Sequence, residues 1–299
     1  MITKVGKMVL IYLKQITNNI MIQIFTSIIV CFAAISAMAQ NNVAVEYDVT
    51  TRDSDSGKAY TQKMALVASP EKSLYFDKMS LYVDSCESTP EGKAKLREIQ
   101  MKAWRVVQPD GTVTYDGRKL GLAPEKKEFL YVSKDSEQGK MSVYDFKAGE
   151  LWRYEEPMSE MKWTVIEDST KNILGFECVM AQTNYHGRIW KAWFSPEIPV
   201  HDGPWKLHGL PGMILSADGG DDFIIEAKEI GYTKQAIPSV YSIKDYTKGE
   251  RKQILAEHEH YENNFESMMA AQGIKMNADG TPANLPKYDR QRQAWETDY

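Results

Sequence analysis

Three histidines fall in one loop-rich segment and carry the clearest candidate chemistry in the sequence. His186, His201 and His208 lie there, with Cys178 and Asp202 nearby. Imidazole and thiolate groups suit zinc or copper. The spacings match no established metal motif, so scattered loop histidines are the competing interpretation. The segment therefore predicts a candidate metal site, and with it a metal-dependent hydrolase as the alternative function.

No other motif with catalytic chemistry is present in the sequence. The chain lacks the phosphate-binding Gly-x-x-x-x-Gly-Lys-Ser/Thr, the dinucleotide Gly-x-Gly-x-x-Gly, the Gly-x-Ser-x-Gly elbow and the His-Glu-x-x-His motif. A second histidine pair, His258 and His260, is two residues apart on a predicted helix and therefore points to different sides. The sequence favours a protein that is not an enzyme, and no cofactor is expected.

The first 39 residues have the composition of an export signal. An uncharged apolar stretch covers residues 22–39, follows three lysines and ends on Ala37-Met38-Ala39, a small-x-small site of the kind that signal peptidase cleaves. A membrane anchor is the alternative, but the stretch is only marginally as long as the ~20 apolar residues of a span. We predict a signal peptide over residues 1–39, and export to the periplasm or outer-membrane periphery without a transmembrane anchor.

The predicted mature chain is acidic and poor in cysteine. Cleavage removes 39 of the 299 residues and leaves 260. It also removes three of the 36 basic residues, so the mature chain has 33 basic and 41 acidic residues and a formal charge of −8. This charge excludes nucleic acid and anionic lipid as electrostatically bound partners. Cys86 and Cys178 remain; an exported compartment permits a disulfide between them, and two separate buried thiols are the alternative.

Short alternating segments separated by turn residues predict an antiparallel sheet. In residues 43–49 every second side chain is apolar, as in a half-buried strand. Hairpins are predicted around Pro109-Asp110-Gly111, around Tyr185-His186-Gly187, and between strands at 213–217 and 223–230. We expect a mainly β fold with an antiparallel, strongly curved sheet or half-open barrel, and an antiparallel sandwich is the alternative.

The β-rich domain is predicted to cover residues 40–247, interrupted by a helix that begins at Thr89-Pro90-Glu91. Apolar residues at helical spacing predict one long C-terminal amphipathic helix over residues 248–272. The side chains expected to pack against the sheet are Ile254, Tyr261 and Phe265. Residues 273–299 are polar and aperiodic, so a disordered tail is predicted there.

Residues 175–215 differ from the rest of the chain because tryptophans, prolines and glycines follow in quick succession. Prolines fix the backbone, glycines permit close approach or positive φ, and tryptophans cover apolar surface. Rigid loops of this kind often carry binding sites on a sheet. Sealing the end of the sheet is the alternative role.

This segment resembles the GLPGLI family. The resemblance is carried by Gly187-Arg188, by residues 192–199 and 203–206, and by Gly209-Leu-Pro-Gly-Met-Ile214, in which methionine replaces the fifth residue of the family hexapeptide. The family consists of exported proteins of Bacteroidetes without an established activity. The resemblance therefore implies a β-rich protein of the cell envelope.

A source in Bacteroidetes would add one modification site. Asp168-Ser169-Thr170 resembles the O-glycosylation acceptor of those organisms, with Ser169 as the acceptor. An ordinary Asp-Ser turn is the alternative interpretation.

A curved sheet lined with tryptophans predicts an apolar concavity that holds a lipid, a peptide or a segment of an envelope protein. We therefore expect a non-enzymatic periplasmic binding or accessory protein, and a purely structural aromatic block is a third interpretation. The candidate ligand-binding residues are Arg188 as an anion anchor, Trp190, Trp193 and Trp205 as the wall (with Trp152 and Trp163), and Gly209, Leu210, Pro211 and Gly212 as a lid or spacer.

Overall fold

A computed structural model describes residues 42–52, 58–116, 123–220 and 223–271, together with residues 295, 296 and 298. The predicted signal peptide and its cleavage site lie outside these residues. None of the helices in the described part of the chain is both long and apolar enough to span a membrane.

Within the described ranges, twelve strands form one large sheet, as the alternating sequence pattern predicts. They are β1 (Asn42–Arg52), β2 (Ala59–Ala68), β3 (Lys72–Phe76), β6 (Tyr131–Asp135), β7 (Lys140–Lys147), β8 (Glu150–Pro157), β9 (Thr164–Ile173), β10 (Phe176–Tyr185), β11 (Arg188–Ser195), β12 (Met213–Asp218), β13 (Phe223–Thr233) and β14 (Thr247–Lys248). A separate hairpin consists of β4 (Arg105–Val107) and β5 (Val113–Tyr115), around the predicted Pro-Asp-Gly turn.

The strand order is β14-β8-β7-β6-β3-β2-β1-β13-β12-β11-β10-β9. All its pairs are antiparallel except the short parallel pair of β14 with β8. Hydrophobic alternation sets the register, because the inward residues of β1 (Val43, Val45, Tyr47 and Val49) are all buried. The predicted hairpins of β10 with β11 and of β12 with β13 are confirmed.

The two ends of this sheet approach each other without pairing. β8 is the second strand from one edge and β9 is the last strand at the other, yet they are consecutive in the chain, so residues 158–163 cross between the two ends. Buried residues of both halves, such as Met141 on β7 and Ala181 on β10, belong to one hydrophobic core. The sheet is therefore a half-open barrel, and the gap between β8 and β9 is its open side.

The described residues also form three α-helices: α1 (Lys78–Glu87), α2 (Pro90–Trp104) and α3 (Arg251–Ala271). The predicted start of α2 is confirmed, since the Thr89 side chain accepts a hydrogen bond from the Gly92 amide at 3.0 Å. On α3, Ile254 and Phe265 are buried as predicted, while Tyr261 is half-buried and packs against the Phe265 ring with centroids 5.6 Å apart.

Candidate binding cleft at the open side of the sheet

One buried carboxylate gathers three basic groups at the open side. Glu156 at the end of β8 accepts from the ammonium of Lys206, which lies in the loop between β11 and β12. His186, in the turn between β10 and β11, places Nε2 3.0 Å from Glu156 Oε1. Arg251 at the start of α3 places Nε 3.3 Å from the same oxygen. Side-chain ion pairs thus join the two ends of the sheet, which do not pair as strands in the described part of the chain.

Residues 295, 296 and 298, called the 295–298 segment below, supply further carboxylates to the same basic groups. Glu296 lies 2.5 Å from Lys206 Nζ and 2.5 Å from Arg251 Nη1. Asp298 accepts from Arg251 Nη1 at 2.6 Å and Nη2 at 3.0 Å, and it lies 3.3 Å from His186 Nδ1. This segment lies within the tail predicted to be disordered, residues 273–299, and residues 272–294 lie outside the described part of the chain.

An aromatic wall stands beside these charges. The Trp295 ring packs on Trp205 with centroids 5.0 Å apart and edge-on against Phe223 at 4.4 Å. Trp205 in turn packs on Trp190 at 5.3 Å, so the wall is continuous with the core. We call the set that receives the segment the basic–aromatic cleft: Glu156, His186, Trp205, Lys206, Phe223 and Arg251.

The charges of the cleft stabilise one another's ionised forms. Burial opposes ionisation of Asp298, but the hydrogen bonds and charge of Arg251 prevail and lower its pKa to about 2. Burial likewise opposes ionisation of Glu156, and His186 and Lys206 lower its pKa despite this. Two basic residues, Lys206 and Arg251, face three carboxylates here, and His186 lies between two of those carboxylates.

A second buried lysine fixes the loop that carries Lys206. Lys134 on β6 pairs with Asp202 and donates to the carbonyl oxygens of Gly203 at 2.7 Å and Leu207 at 3.1 Å. Burial lowers the pKa of Lys134, and the charge of Asp202 opposes that shift. Because all three of its contacts go to residues 202–207, this lysine ties the loop to the middle of the sheet.

His208 links the loop to the connection that crosses the open side. Its Nδ1 lies 2.7 Å from the Lys206 carbonyl oxygen and its Nε2 lies 2.7 Å from that of Met158. The His208 carbonyl accepts from the indole of Trp163 at 2.7 Å. Both ring nitrogens of His208 thus have backbone partners, which leaves neither open to a metal ion.

The predicted metal set is not brought together. Among the described residues, a single group places three metal-ligating atoms within 4.8 Å of one another, and it consists of Glu156, His186 and Glu296. His201 is exposed and, like His208, lies outside this group. Of the three predicted histidines, only His186 therefore lies with other metal-ligating side chains.

The tryptophans predicted to form a ligand-binding wall lie in the core or pack against it. Trp190 and Trp205 are fully buried core residues, and Trp193 is half-buried with Lys171 Nζ 4.4 Å from its ring centroid. Trp152 and Trp163 are also half-buried and pack against the core. These side chains fill the interior because a sheet that curls on itself leaves little room for an open concavity. Of the five, it is Trp205 that contacts the 295–298 segment through its ring.

Arg188, the predicted anion anchor, is engaged by the protein itself. Its Nη1 donates to the Gly219 carbonyl at 3.1 Å, and its guanidinium lies 5.6 Å from the centre of the Phe223 ring. It therefore supports the back of the aromatic wall.

The Gly-Leu-Pro-Gly turn, predicted to be a lid or spacer, packs against the end of β11. A Cβ on Gly212, whose φ is +153°, would stand 2.1 Å from the Ser195 carbonyl oxygen, so only glycine fits. Leu210 is buried in the core, Pro211 is exposed, and the Gly209 amide donates to the His201 carbonyl at 3.0 Å. The turn packs the β11–β12 loop closely against the end of β11.

Both cysteines are buried free thiols, which agrees with the second of the two alternatives. Cys86 on α1 packs with Val83 of the same helix and Leu96 of α2, whereas Cys178 belongs to the main core, where burial raises its pKa to about 11.

Ser169, the predicted glycosylation acceptor, lies half-buried on the edge strand β9 and not in a turn. The register of β9 with β10 shifts at this point, since Thr170 pairs with Val179 but Ile166 pairs with Met180. The acceptor therefore sits in a bulge.

The fold and the cleft define a class: a half-open antiparallel β-barrel whose open side holds an acidic, aromatic segment. Residues 180–216, which cover β11 and the β11–β12 loop, match the model of a family described as a protein of unknown function, Porph_ging. This match is loosely consistent with a GLPGLI-type family. No curated protein matches.

Two solved structures of PNGF-II, in space groups C2 and P21, resemble the fold at 14% and 12% sequence identity with TM-scores of 0.46 and 0.45. The aligned region covers 73% of this chain in both cases, but only 32% and 33% of those chains. This chain therefore corresponds to about a third of the length of those proteins.

Proposed function

We propose that this protein is an exported, non-enzymatic binding or accessory protein of the bacterial cell envelope, and that it binds its ligand in the basic–aromatic cleft. The apolar leader and the GLPGLI-type segment support export. N-terminal sequencing of the chain from its native envelope tests this part, because cleavage after Ala39 gives a chain that begins at Gln40.

The observation that carries the binding proposal is that the basic groups around Glu156 have two sets of acidic partners. This carboxylate belongs to the body of the barrel and holds Lys206, His186 and Arg251 together. Lys206 and Arg251 also contact Glu296, and His186 and Arg251 contact Asp298. A preorganised basic site beside an aromatic wall is suited to a ligand that carries carboxylates next to an aromatic or apolar group.

Native mass spectrometry of the full chain, purified gently from its own envelope, tests this proposal. We compare the wild type with a Glu296→Gln/Asp298→Asn variant, in which the segment loses the charges that hold it in the cleft. We expect the variant to retain an extra mass that the wild type lacks or holds at much lower occupancy. Glu98→Gln, on the exposed surface of α2, is the control and should behave as the wild type. A variant without any bound mass would contradict the proposal.

Metal binding is the second candidate, favoured by the proximity of the ligating atoms of Glu156, His186 and Glu296. Against it, both carboxylates already pair with Lys206 and Arg251, and these cations would repel a divalent ion. Calorimetric titration with Zn²⁺ decides between the two. A metal site predicts that His186→Asn weakens zinc binding at least tenfold while the exposed His201→Asn does not. Equal zinc binding by wild type and both variants would remove this candidate.

A further inference from the structure

We infer that the basic–aromatic cleft recognises peptide segments of a partner protein in which an aromatic residue is followed directly by one acidic residue and, two positions later, by a second. The 295–298 segment is then a built-in competitor for such a peptide. This inference rests on the proposed function and names its ligand class and its regulation.

Arg251 binds the carboxylates of both Glu296 and Asp298, so it selects for the spacing between them. Its guanidinium contacts Glu296 at 2.5 Å and Asp298 at 2.6 and 3.0 Å, so both acids must lie on the same side of the bound chain. Residues two apart share one side of an extended chain, which explains the pattern aromatic-acidic-x-acidic. The planar guanidinium suits this recognition of two carboxylates better than an ammonium group does.

Each carboxylate also has a second partner of its own. Lys206 contacts Glu296 at 2.5 Å, whereas His186 contacts Asp298 at 3.3 Å. Lys206 is fully buried and Glu296 is 4% exposed, so a neutral residue at this position would leave a buried ammonium group short of a partner. Sites of this kind strongly reject analogues that lack the charged group.

The aromatic position is defined by the wall. Trp295 contacts Trp205 and Phe223 with ring centroids 5.0 and 4.4 Å apart, and Arg188 supports Phe223 from behind. A large planar side chain next to the first acid gains offset and edge-on ring contacts that an aliphatic one does not. The cleft therefore selects on shape as well as on charge.

The segment belongs to the same chain as the cleft, so an incoming peptide competes with it within one molecule. The connection from Ala271 to Trp295 contains 23 residues, 272–294, and spans up to about 80 Å when extended. Binding of the segment is therefore intramolecular, and the length of this connection limits its effective concentration. The Asp298 side chain is 36% exposed, which leaves the edge of the bound segment open to solvent, where an incoming peptide can begin to replace it.

Fluorescence anisotropy with a labelled synthetic peptide, Trp-Glu-Thr-Asp-Tyr, tests the inference on the full chain. The released variant Trp295→Ala/Glu296→Gln/Asp298→Asn should bind this peptide at least tenfold more tightly than the wild type, whose cleft is occupied. The control peptide Trp-Gln-Thr-Asn-Tyr should bind the released variant at least tenfold more weakly. Adding Arg251→Gln to the released variant should abolish peptide binding while the circular dichroism spectrum is retained.

The single variant Asp298→Asn, which keeps the aromatic anchor and Glu296, serves if the triple variant does not fold, and it should show the same order of affinities. Equal binding of the charged and neutral peptides, or no binding to a folded released variant, overturns the inference. Concentration-dependent dimerisation of the wild type through this segment would overturn it too, because a second copy would then be the occupant. If the released variant binds no peptide but still retains a ligand mass from its native envelope, only the inference is contradicted. If it binds neither the peptide nor a native ligand, the proposed function is contradicted as well.

Discussion

Buried lysines organise the open side of the barrel residue by residue. Lys134 and Lys206 are 1% and 0% exposed, and each has a carboxylate and other acceptors around it. A buried ion pair is weak evidence for net stability, but removal of one partner leaves the other charge buried and unpaired. These two lysines are therefore the positions at which a conservative change should have the largest effect.

Lys206→Met tests this at the cleft. The substitution leaves Glu156 and Glu296 without their shared ammonium group, so we expect the free energy of unfolding in urea to fall by about 3–5 kcal/mol. The matched control is Lys102→Met, which breaks an ion pair whose side chains are 73% and 64% exposed and should change stability by less than about 0.5 kcal/mol. Similar effects of the two substitutions would contradict the role assigned to Lys206.

Gly212→Ala tests the close packing of the Gly-Leu-Pro-Gly turn against the backbone of Ser195. The new methyl group would stand 2.1 Å from the Ser195 carbonyl oxygen, at a φ of +153° that L residues rarely adopt, so the two strands must separate. We expect a loss on the order of 3 kcal/mol in unfolding free energy, or failure to fold. Gly231→Ala on β13, where a Cβ meets nothing within 4 Å, is the control. A change at Gly212 no larger than that at Gly231 would refute the packing argument.

At the scale of elements, α3 positions the arginine of the cleft. Arg251 is its first residue, and the fully buried Ile254 follows one turn later, against Trp152 and Gly249 near the end of the sheet. The apolar face that holds the helix to the barrel therefore also fixes where the guanidinium lies.

Ile254→Ala tests whether docking of α3 on the barrel also determines how firmly Arg251 holds the 295–298 segment. Loss of this buried side chain should cost about 2–5 kcal/mol of unfolding free energy and, because α3 docks less firmly, should also weaken the hold on the 295–298 segment. Tryptophan fluorescence would report release of Trp295 at urea concentrations below the main unfolding transition. Lys252→Ala, on the exposed side of the same turn, should change neither stability nor fluorescence. A single shared transition in Ile254→Ala would show that helix docking and segment binding are not linked in this way.

The elements also show where sequence patterns are informative. Alternation and turn chemistry predict the hairpins around residues 185–187 and 218–222, because both signals are local. Helix α1 escapes prediction because its buried residues are Ser80, Val83 and Cys86, which form too weak an apolar pattern. The crossing between β8 and β9 could not be predicted either, because no local sequence pattern indicates that two consecutive strands lie at opposite ends of a sheet.

For the whole molecule, the sequence predicts the half-open barrel but not the contents of its open side. Glu156, Lys206 and Arg251 are far apart in the chain and resemble ordinary surface charges in the sequence. Their one available signal is the place of Lys206, directly between the apolar residues Trp205 and Leu207. The role of Trp295 and Glu296 depends on long-range closure, so a polar, aperiodic tail gave no indication of it.

Acid should open the molecule at this site before the barrel unfolds. The pKa of Asp298 is about 2 in the folded protein, against an ordinary value of about 3.9, and that of Glu156 is lowered as well. A carboxyl group whose pKa is lowered by folding contributes stability that is fully present above its unfolded pKa. That contribution is lost as the pH falls through the folded value. The window for release of the segment is therefore about pH 4 down to about pH 2.

Tryptophan fluorescence across this range should report Trp295 leaving Trp205, with far-ultraviolet circular dichroism as the measure of the barrel itself. Asp298→Asn should remove much of the fluorescence transition, because it removes the group that titrates and leaves a segment that is already weakly held at pH 7. Asp110→Asn is a matched control: its pKa is lowered by hydrogen bonds within an exposed turn of the β4–β5 hairpin, away from the cleft. If Asp298→Asn kept the full acid-induced fluorescence transition while Asp110→Asn altered it, the charges at the open side would not hold the segment in the cleft.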